Sequence, residues 1–243
     1  MALKNEIPRA GSVLFRWRSY LPLFFLPLVV PALLVKERVG HDETIELAWE
    51  AVGILVAVAG LVVRALAVGH APANTSGRNT KCQKADLLNT TGLYSVVRHP
   101  VYLGNFLVWM GLVVYAQSLW AGLVTALVYW VYYERIMAAE EEFLHTRFGA
   151  AFEQWSARTP AFIPAFSRWE RAVLPFSWKS VLAREQSTWF GTMAAFFVFE
   201  TVGEISGGEW LDPAWLSALA FAAFVYLTLR GLKRYGMLYV EGR

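Results

Sequence analysis

The run Tyr94-Ser-Val-Val-Arg98-His99-Pro100-Val-Tyr102 leads directly into a pair of apolar stretches, and three consecutive acids, Glu140, Glu141 and Glu142, follow them. A guanidinium and an imidazole attract carboxylates or phosphates. Paired carboxylates attract cations and hydroxyls, and tyrosine offers a flat ring with a hydroxyl at its edge. Beside long apolar stretches such groups are costly unless they are partnered. The two clusters are expected to hold something polar between them.

The elements that must bring the clusters together follow from composition. Apolar residues make up 56% of the 243 residues and gather in long runs instead of alternating with polar ones, which marks an integral membrane protein. A spanning helix needs roughly 20 residues, so there is room for about six crossings and no large soluble domain. The spans read at about 19–35, 46–68, 101–116, 119–138, 188–203 and 213–230, all helical because lipid tolerates only an internally hydrogen-bonded backbone. The first, with Pro22, Pro27 and Pro31, is read as a retained span and not a cleaved signal peptide. Ala116-Gln117-Ser118 is too short to do anything except turn the chain back, so spans three and four form a tight antiparallel hairpin at the centre. The predicted fold is all-α, a multi-pass membrane helical bundle around that hairpin.

Lys4, Arg9, Arg16 and Arg18 precede the first span, Arg78, Lys81, Lys84 and Arg98 lie between the second and third, and Arg230, Lys233 and Arg234 follow the sixth. The positive-inside bias therefore puts both termini in the cytoplasm, with Glu204, Glu209 and Asp212 on the opposite side. Arg98 and the glutamates then fall on the same, cytoplasmic side. Pro100 suits a helix's first turn and pushes His99 toward an extended conformation, so the helix start with Arg98 is a candidate anion site. Glu140 to Gly149 reads as an amphipathic helix offering Phe143, Leu144, Phe148 and Phe152 for packing, with Gly149 a candidate break. Trp155 to Phe166, with Pro160 and Pro164, reads as a rigid turn at the interface or over a pocket.

Plainer readings stand beside these. Arg98 alone is one more positive-inside charge, His99 alone a local cap, and Glu142 a solvated helix position. Arg64 reads as a snorkelling anchor, with a place facing the pocket as its alternative; Glu50, Glu200 and Glu204, near or within spans, read as structural acids, with a functional role as their alternative. Asn74-Thr-Ser and Asn89-Thr-Thr match a glycosylation pattern on the wrong side of the membrane. The tryptophans, among them Trp17, Trp49, Trp109, Trp120, Trp155, Trp169, Trp178, Trp189 and Trp210, mostly suit an aromatic belt. A lone Cys82 supports neither a disulfide framework nor a thiolate metal cluster. No glycine-rich loop follows a strand, which excludes a Rossmann-type nucleotide fold.

The pattern Gly-Leu-Tyr-x3-Arg-His-Pro-x-Tyr-x-Gly over Gly92 to Gly104 is followed by an apolar pair of runs, Glu140-Glu141, Leu144, Phe148-Gly149 and Pro-x-Phe-Ile-Pro over Pro160 to Pro164. This order resembles the isoprenylcysteine carboxyl methyltransferase and phospholipid methyltransferase superfamily. The likeness covers residues 88–166 and divides the chain into N-terminal spans (1–87), a methyltransferase core (88–166) and a C-terminal extension with the last two spans (167–243).

The resemblance implies a methyltransferase that uses S-adenosyl-L-methionine, bound at the cytoplasmic end of the hairpin, with a lipophilic acceptor arriving from the bilayer. By motif position the cofactor residues are Tyr94, Arg98, His99, Pro100, Tyr102, Gly104, Glu140 and Glu141. His99 and nearby backbone fall to its carboxylate, Tyr102 or Tyr94 to its body, and Glu140 or Glu141 to its ribose hydroxyls or amino group. Arg98 and Glu141 are the candidate catalytic pair, Arg98 orienting an anionic acceptor or the cofactor carboxylate. A prenylcysteine carboxylate is the nearest acceptor; a phospholipid amine, a lipid-linked phosphate and a small thiol are alternatives. A carboxylate or phosphate needs no general base, whereas an amine or thiol would draw on Glu140, Glu141 or His99. Membrane lipids are expected neighbours, nucleic acid and metal are not, and oligomeric state is left open. The membrane would be the bacterial inner membrane in a prokaryote or the endoplasmic reticulum in a eukaryote. A transporter or a non-catalytic scaffold are the readings from other classes, the former disfavoured by the lack of an internal repeat.

Overall fold

A computed structural model of the chain describes residues 10–15, 43–72, 75, 85–208 and 210–243. The predicted span at 19–35 lies outside these residues, as do Lys4, Arg9, Arg16, Arg18, Arg78, Lys81, Lys84, Glu209, Cys82, Asn74 and Trp17. The described residues are helical apart from turns and an isolated antiparallel bridge between Gly92 and Glu170. In chain order they form α1 (Glu43–Gly69), α2 (Leu93–Val96), α3 (Pro100–Tyr115), α4 (Leu119–Phe148), α5 (Ala150–Arg158), α6 (Trp178–Gly207) and α7 (Pro213–Arg234). A short 3-10 turn covers Phe166–Arg168.

Each boundary has a local cause. Pro100 opens α3, where a missing N–H costs nothing, and Pro213 opens α7 behind Asp212, whose carboxylate accepts from the Ala214 N–H at 2.8 Å. Ser118 caps α4 by accepting from Ala121 N–H, and Ser177 caps α6 by accepting from Ser180 N–H. Gly149, at φ 50°, ends α4 and separates it from α5. The chain turns from α3 into α4 through Ala116-Gln117-Ser118, with Gln117 at φ 54°. The polar segment after residue 138 is not a separate helix: α4 runs unbroken for 30 residues and carries Glu140 to Phe148 as its last turns. α6 likewise begins ten residues ahead of its predicted apolar stretch.

Long helices alternate in direction. The end of α1 meets the start of α6 through Ser177 N–H and the Gly69 carbonyl at 2.9 Å, and Lys233 near the end of α7 donates to the Ala183 carbonyl at 2.8 Å. At the opposite end the Tyr115 hydroxyl donates to Glu200, and its ring stands 6.1 Å from that of Trp215. Glu204 accepts from the Asp212 N–H at 3.0 Å, bridging the turn between α6 and α7. Glu200 thus ties the end of α3 to α6, and Glu204 ties α6 to the start of α7.

α1 and α3 approach most closely, and glycine makes this possible. A Cβ on Gly60 would sit 2.5 Å from the Gly104 carbonyl oxygen, and one on Gly111 2.5 Å from that of Gly53. Two glycines seven residues apart on each helix thus meet in antiparallel order, the close small-residue packing that membrane helices use in place of a hydrophobic drive. Behind α3, a core of Tyr102, Trp109, Leu112, Tyr129, Tyr133 and Ile136 joins it to α4. Among the described residues, two helices, Thr44–Gly69 and Pro213–Arg234, are long and apolar enough to cross a membrane by length and composition. α7 turns Phe221, Phe224 and Leu227 outward, each more than half exposed.

Candidate functional site

Local backbone conformation sets the site. His99, at φ −120° and ψ 61°, is kept out of the helical region by the Pro100 that follows it, but it is not in the extended conformation that the sequence predicts. The stretch Val96 to His99 is then free to pair with the proline-rich segment: Arg98 N–H donates to the Pro160 carbonyl at 2.9 Å, His99 N–H to Ala161 at 3.2 Å, and Ala165 N–H to Val96 at 2.9 Å. Trp155, buried on α5, locks the outer side by donating from Nε1 to the Tyr94 carbonyl at 2.9 Å. This bond, with the burial of Trp109, removes two tryptophans from the predicted aromatic belt; Trp49, Trp120, Trp169, Trp178 and Trp210 are exposed.

Against this frame α4 delivers its glutamates. Arg98 grips Glu141 through two bonds, Nε to Oε1 at 2.8 Å and Nη2 to Oε2 at 3.1 Å, and spends Nη1 on the carbonyls of Ser156 at 3.0 Å and Thr159 at 2.6 Å. His99 Nε2 lies 2.9 Å from the same Glu141 oxygen. Glu140 accepts from the Tyr102 hydroxyl at 2.9 Å through Oε2, and His99 Nδ1 stands 3.8 Å from that atom. The His99 and Tyr102 rings stack at 5.6 Å, and Tyr102 continues to Tyr133 at 5.1 Å. Tyr129 fixes the backbone beneath by donating to the Tyr102 carbonyl at 2.6 Å.

The two acids differ in what they leave open. Both oxygens of Glu141 are occupied by Arg98 and His99, whereas Oε1 of Glu140 makes no hydrogen bond among the described residues and the side chain is 31% exposed. Burial raises the Glu141 carboxyl, but hydrogen bonds and charge from His99 and Arg98 together outweigh it and hold the group below the ordinary 4.5. Glu141 thus stays ionised. A small molecule carrying cationic and hydroxyl groups suits what is left open here: an unshared carboxylate oxygen at Glu140 with tyrosine rings beside it, in front of the Arg98–Glu141 frame.

Other expected site residues sit apart from this cluster. Gly104 faces α1, where its Cβ would meet the Gly60 carbonyl and the Arg64 side chain at 2.7 and 2.5 Å, so its part is helix packing. Tyr94 lies beside Arg184, whose guanidinium is lowered chiefly by burial, with Tyr94 opposing the shift. Glu142 is exposed on the outer face of α4.

One polar centre escaped the sequence reading. Arg64 is not a snorkelling anchor: it is 7% exposed, donating to Glu185 from Nε at 2.7 Å and Nη2 at 2.9 Å, to Thr188 at 3.2 Å and to Asn105. Asn105 Nδ2 reaches the Tyr133 hydroxyl at 3.3 Å, which links this centre to the tyrosines of the site. The available signal was the position of Glu185, charged and just ahead of an apolar stretch, as a counter-ion for Arg64, the arginine within the apolar run of α1.

Comparison with known proteins agrees with this architecture. Residues 49–151 match the family model for phospholipid methyltransferase. Over that region, less than half of the chain, it is similar to the isoprenylcysteine carboxyl methyltransferase and phospholipid methyltransferase superfamily. Among curated relatives, the protein-S-isoprenylcysteine O-methyltransferase of Schizosaccharomyces pombe is 34% identical over 85 residues, covering 35% of this chain and 36% of that protein. A nickel-cobalt-cadmium resistance protein of Alcaligenes xylosoxydans is 29% identical over 140 residues, 58% of this chain and 63% of its own length. A cobalt-zinc-cadmium resistance protein of Cupriavidus metallidurans is 33% identical over 114 residues, 47% and 46% respectively. The chain thus spans less than two thirds of each of these relatives. No solved structure matches it.

Proposed function

We propose that this protein is a membrane-embedded methyltransferase that uses S-adenosyl-L-methionine to methylate a lipophilic acceptor, with a prenylcysteine-type carboxylate as the leading candidate. The observation that carries the reading is the convergence of Arg98, His99 and Tyr102 with Glu140 and Glu141 at one end of α3 and α4. The match to the phospholipid methyltransferase family model and the printed names of several relatives, protein-S-isoprenylcysteine O-methyltransferases of fission yeast, rat and mouse among them, support the same chemistry.

In this reading α3 and α4 are a membrane hairpin within a bundle of about six crossings. The cofactor core is 88–166, flanked by spans at 1–87 and an extension at 167–243. Helix directions alternate as successive crossings demand, and an even number of them would leave both termini in the cytoplasm. Glu140, through its open oxygen, takes ribose hydroxyls or the amino group, while His99, Tyr102 and the start of α3 border the rest of the cofactor. Glu141 and Arg98 act as the rigid frame that holds His99 and the segment Pro160 to Ala165 in place.

When bound, the cofactor supplies a methyl group on a sulfonium. The protein's part is positioning and exclusion of water, which can be worth about 7 to 11 kcal/mol of barrier. A carboxylate acceptor brings its own lone pair, so Glu140 and His99 orient and no proton need move. Incubating the purified protein with methyl-labelled cofactor, a farnesylated cysteine and, separately, total membrane lipids tests the assignment. Label on the farnesylated cysteine supports it. Label confined to lipid replaces that acceptor, and label on neither removes the activity.

A further inference from the structure

A second polar cleft opens beside the cofactor core, and none of the Arg98, His99, Tyr102 or Glu140 side chains lines it. It encloses about 390 Å3 between the end of α5 and the 3-10 turn, with Thr90, Ser95, Arg158, Thr159, Arg168 and Trp169 among its walls. Its floor is built, not incidental. Ser95 and Thr159 are 4% and 2% exposed, Ser95 Oγ accepts from the Glu170 N–H at 2.9 Å, and Gly92 N–H donates to the Glu170 carbonyl at 3.0 Å. The rim is cationic. Arg158 meets Glu170 only at 3.8 Å with both side chains at least half exposed, and among the described residues the Arg168 guanidinium and the Thr90 and Ser167 hydroxyls make no hydrogen bond. Two arginines against one glutamate leave a net positive cleft with spare donors.

Around this rim the surface is greasy. Ile163, Phe166, Trp169 and Val173 are each more than half exposed, in a segment tied by Arg98 and His99 to the same end of the bundle as the glutamates. A soluble anion would have no use for such a collar, whereas an amphiphile with a phosphate head and acyl chains would use both features at once. That end is the one the lysine and arginine distribution assigns to the cytoplasmic leaflet, where anionic lipids concentrate basic segments.

We propose that this cleft is a binding site for the phosphate headgroup of an anionic phospholipid, separate from the methyl-transfer centre. Arg158 and Arg168 take the phosphate oxygens, Thr90 and Ser167 donate to the ester and headgroup oxygens, and the acyl chains lie along Phe166 and Ile163. The site anchors the Pro160 to Trp178 segment on the bilayer, and it stands whether or not the chain transfers methyl groups.

Native mass spectrometry of the full chain in detergent, titrated with dioleoylphosphatidylglycerol, tests this. R158Q/R168Q should weaken the lipid by about 25-fold, at about five-fold per basic residue, while R230Q/R234Q, with arginines on the exposed end of α7, should leave it unchanged. Ser167→Asp, which puts an anion into the cleft, should weaken it as well. Dioleoylphosphatidylcholine should bind less tightly, and millimolar inorganic phosphate should displace the lipid poorly. Equal losses in both double variants would reduce the effect to general surface charge and overturn the proposal. Efficient displacement by inorganic phosphate alone would identify a free-anion site and overturn the lipid assignment.

Discussion

Arg98 and Glu141, 43 positions apart in sequence, are joined by two parallel hydrogen bonds of 2.8 and 3.1 Å, so the start of α3 and the last turns of α4 are held as one unit. Arg98 extends the same unit to α5 by donating to Ser156 and Thr159. The pair is an internal clamp, and the acid with an oxygen unshared among the described residues is its neighbour Glu140. Replacing Glu141 by Gln should therefore lower stability by about 2 kcal/mol, in keeping with loss of charge-assisted bonds. Thermal unfolding in detergent, followed by circular dichroism, checks it.

Glu140→Gln should behave in the opposite way. It keeps an acceptor for the Tyr102 hydroxyl and leaves the clamp intact, so the unfolding midpoint should barely move. Affinity for S-adenosylmethionine should fall at least tenfold, about 1.4 kcal/mol. Paired calorimetric and melting measurements on the two variants separate a ligand-facing acid from a framework acid.

Acid should release the clamp. The Glu141 carboxyl is lower in the folded chain than its ordinary 4.5, so as pH falls the unfolded state takes up the proton first. The stabilisation is complete above the ordinary value and is lost as pH descends through the folded one. The gap in melting temperature between the wild type and Glu141→Gln should be constant from about pH 7 to pH 5.5 and narrow below 4.5. A gap that widened on acidification would contradict this.

The buried pair Arg64–Glu185 predicts non-additivity. Their side chains are 9% and 3% exposed, so removing one leaves an uncompensated charge inside the bundle. Arg64→Met or Glu185→Met alone should cost about 3 to 5 kcal/mol, and the double replacement less than either single one. A double-mutant cycle read by unfolding tests the coupling.

Close helix packing predicts a steric penalty at Gly111. A side chain there must push against the Gly53 carbonyl and Ala57 at 2.5 to 2.7 Å, both on α1. Gly111→Val should cost about 1 to 3 kcal/mol by overpacking. Gly191→Ala, with open space around it, should be neutral in the same assay.

The sequence made the main juxtaposition legible for a plain reason: a three-residue turn leaves no choice of direction, so residues just before α3 and late in α4 must face each other. Pro100 announced the start of α3 and a non-helical His99, and Gly149 announced the end of α4, because proline restricts the backbone around it and glycine accepts a positive φ. What stayed hidden depends on long-range pairing. Lys179, Arg184 and Glu185 made the apolar run of α6 look shorter than its helix, since a charged residue ends a hydropathy window without ending hydrogen bonding. Arg64 looked like a headgroup anchor because nothing local names its partner, 121 positions away. Gly104 stood in the motif beside chemical residues, yet its reason is the approach of Gly60 on another helix.

Calorimetric titration of the purified full chain with S-adenosylmethionine tests the central claim most directly. Saturable one-site binding, weakened at least tenfold by Glu140→Gln and by His99→Ala, is the predicted result. Absence of binding by a folded wild-type protein, or binding that both variants leave unchanged, would contradict it.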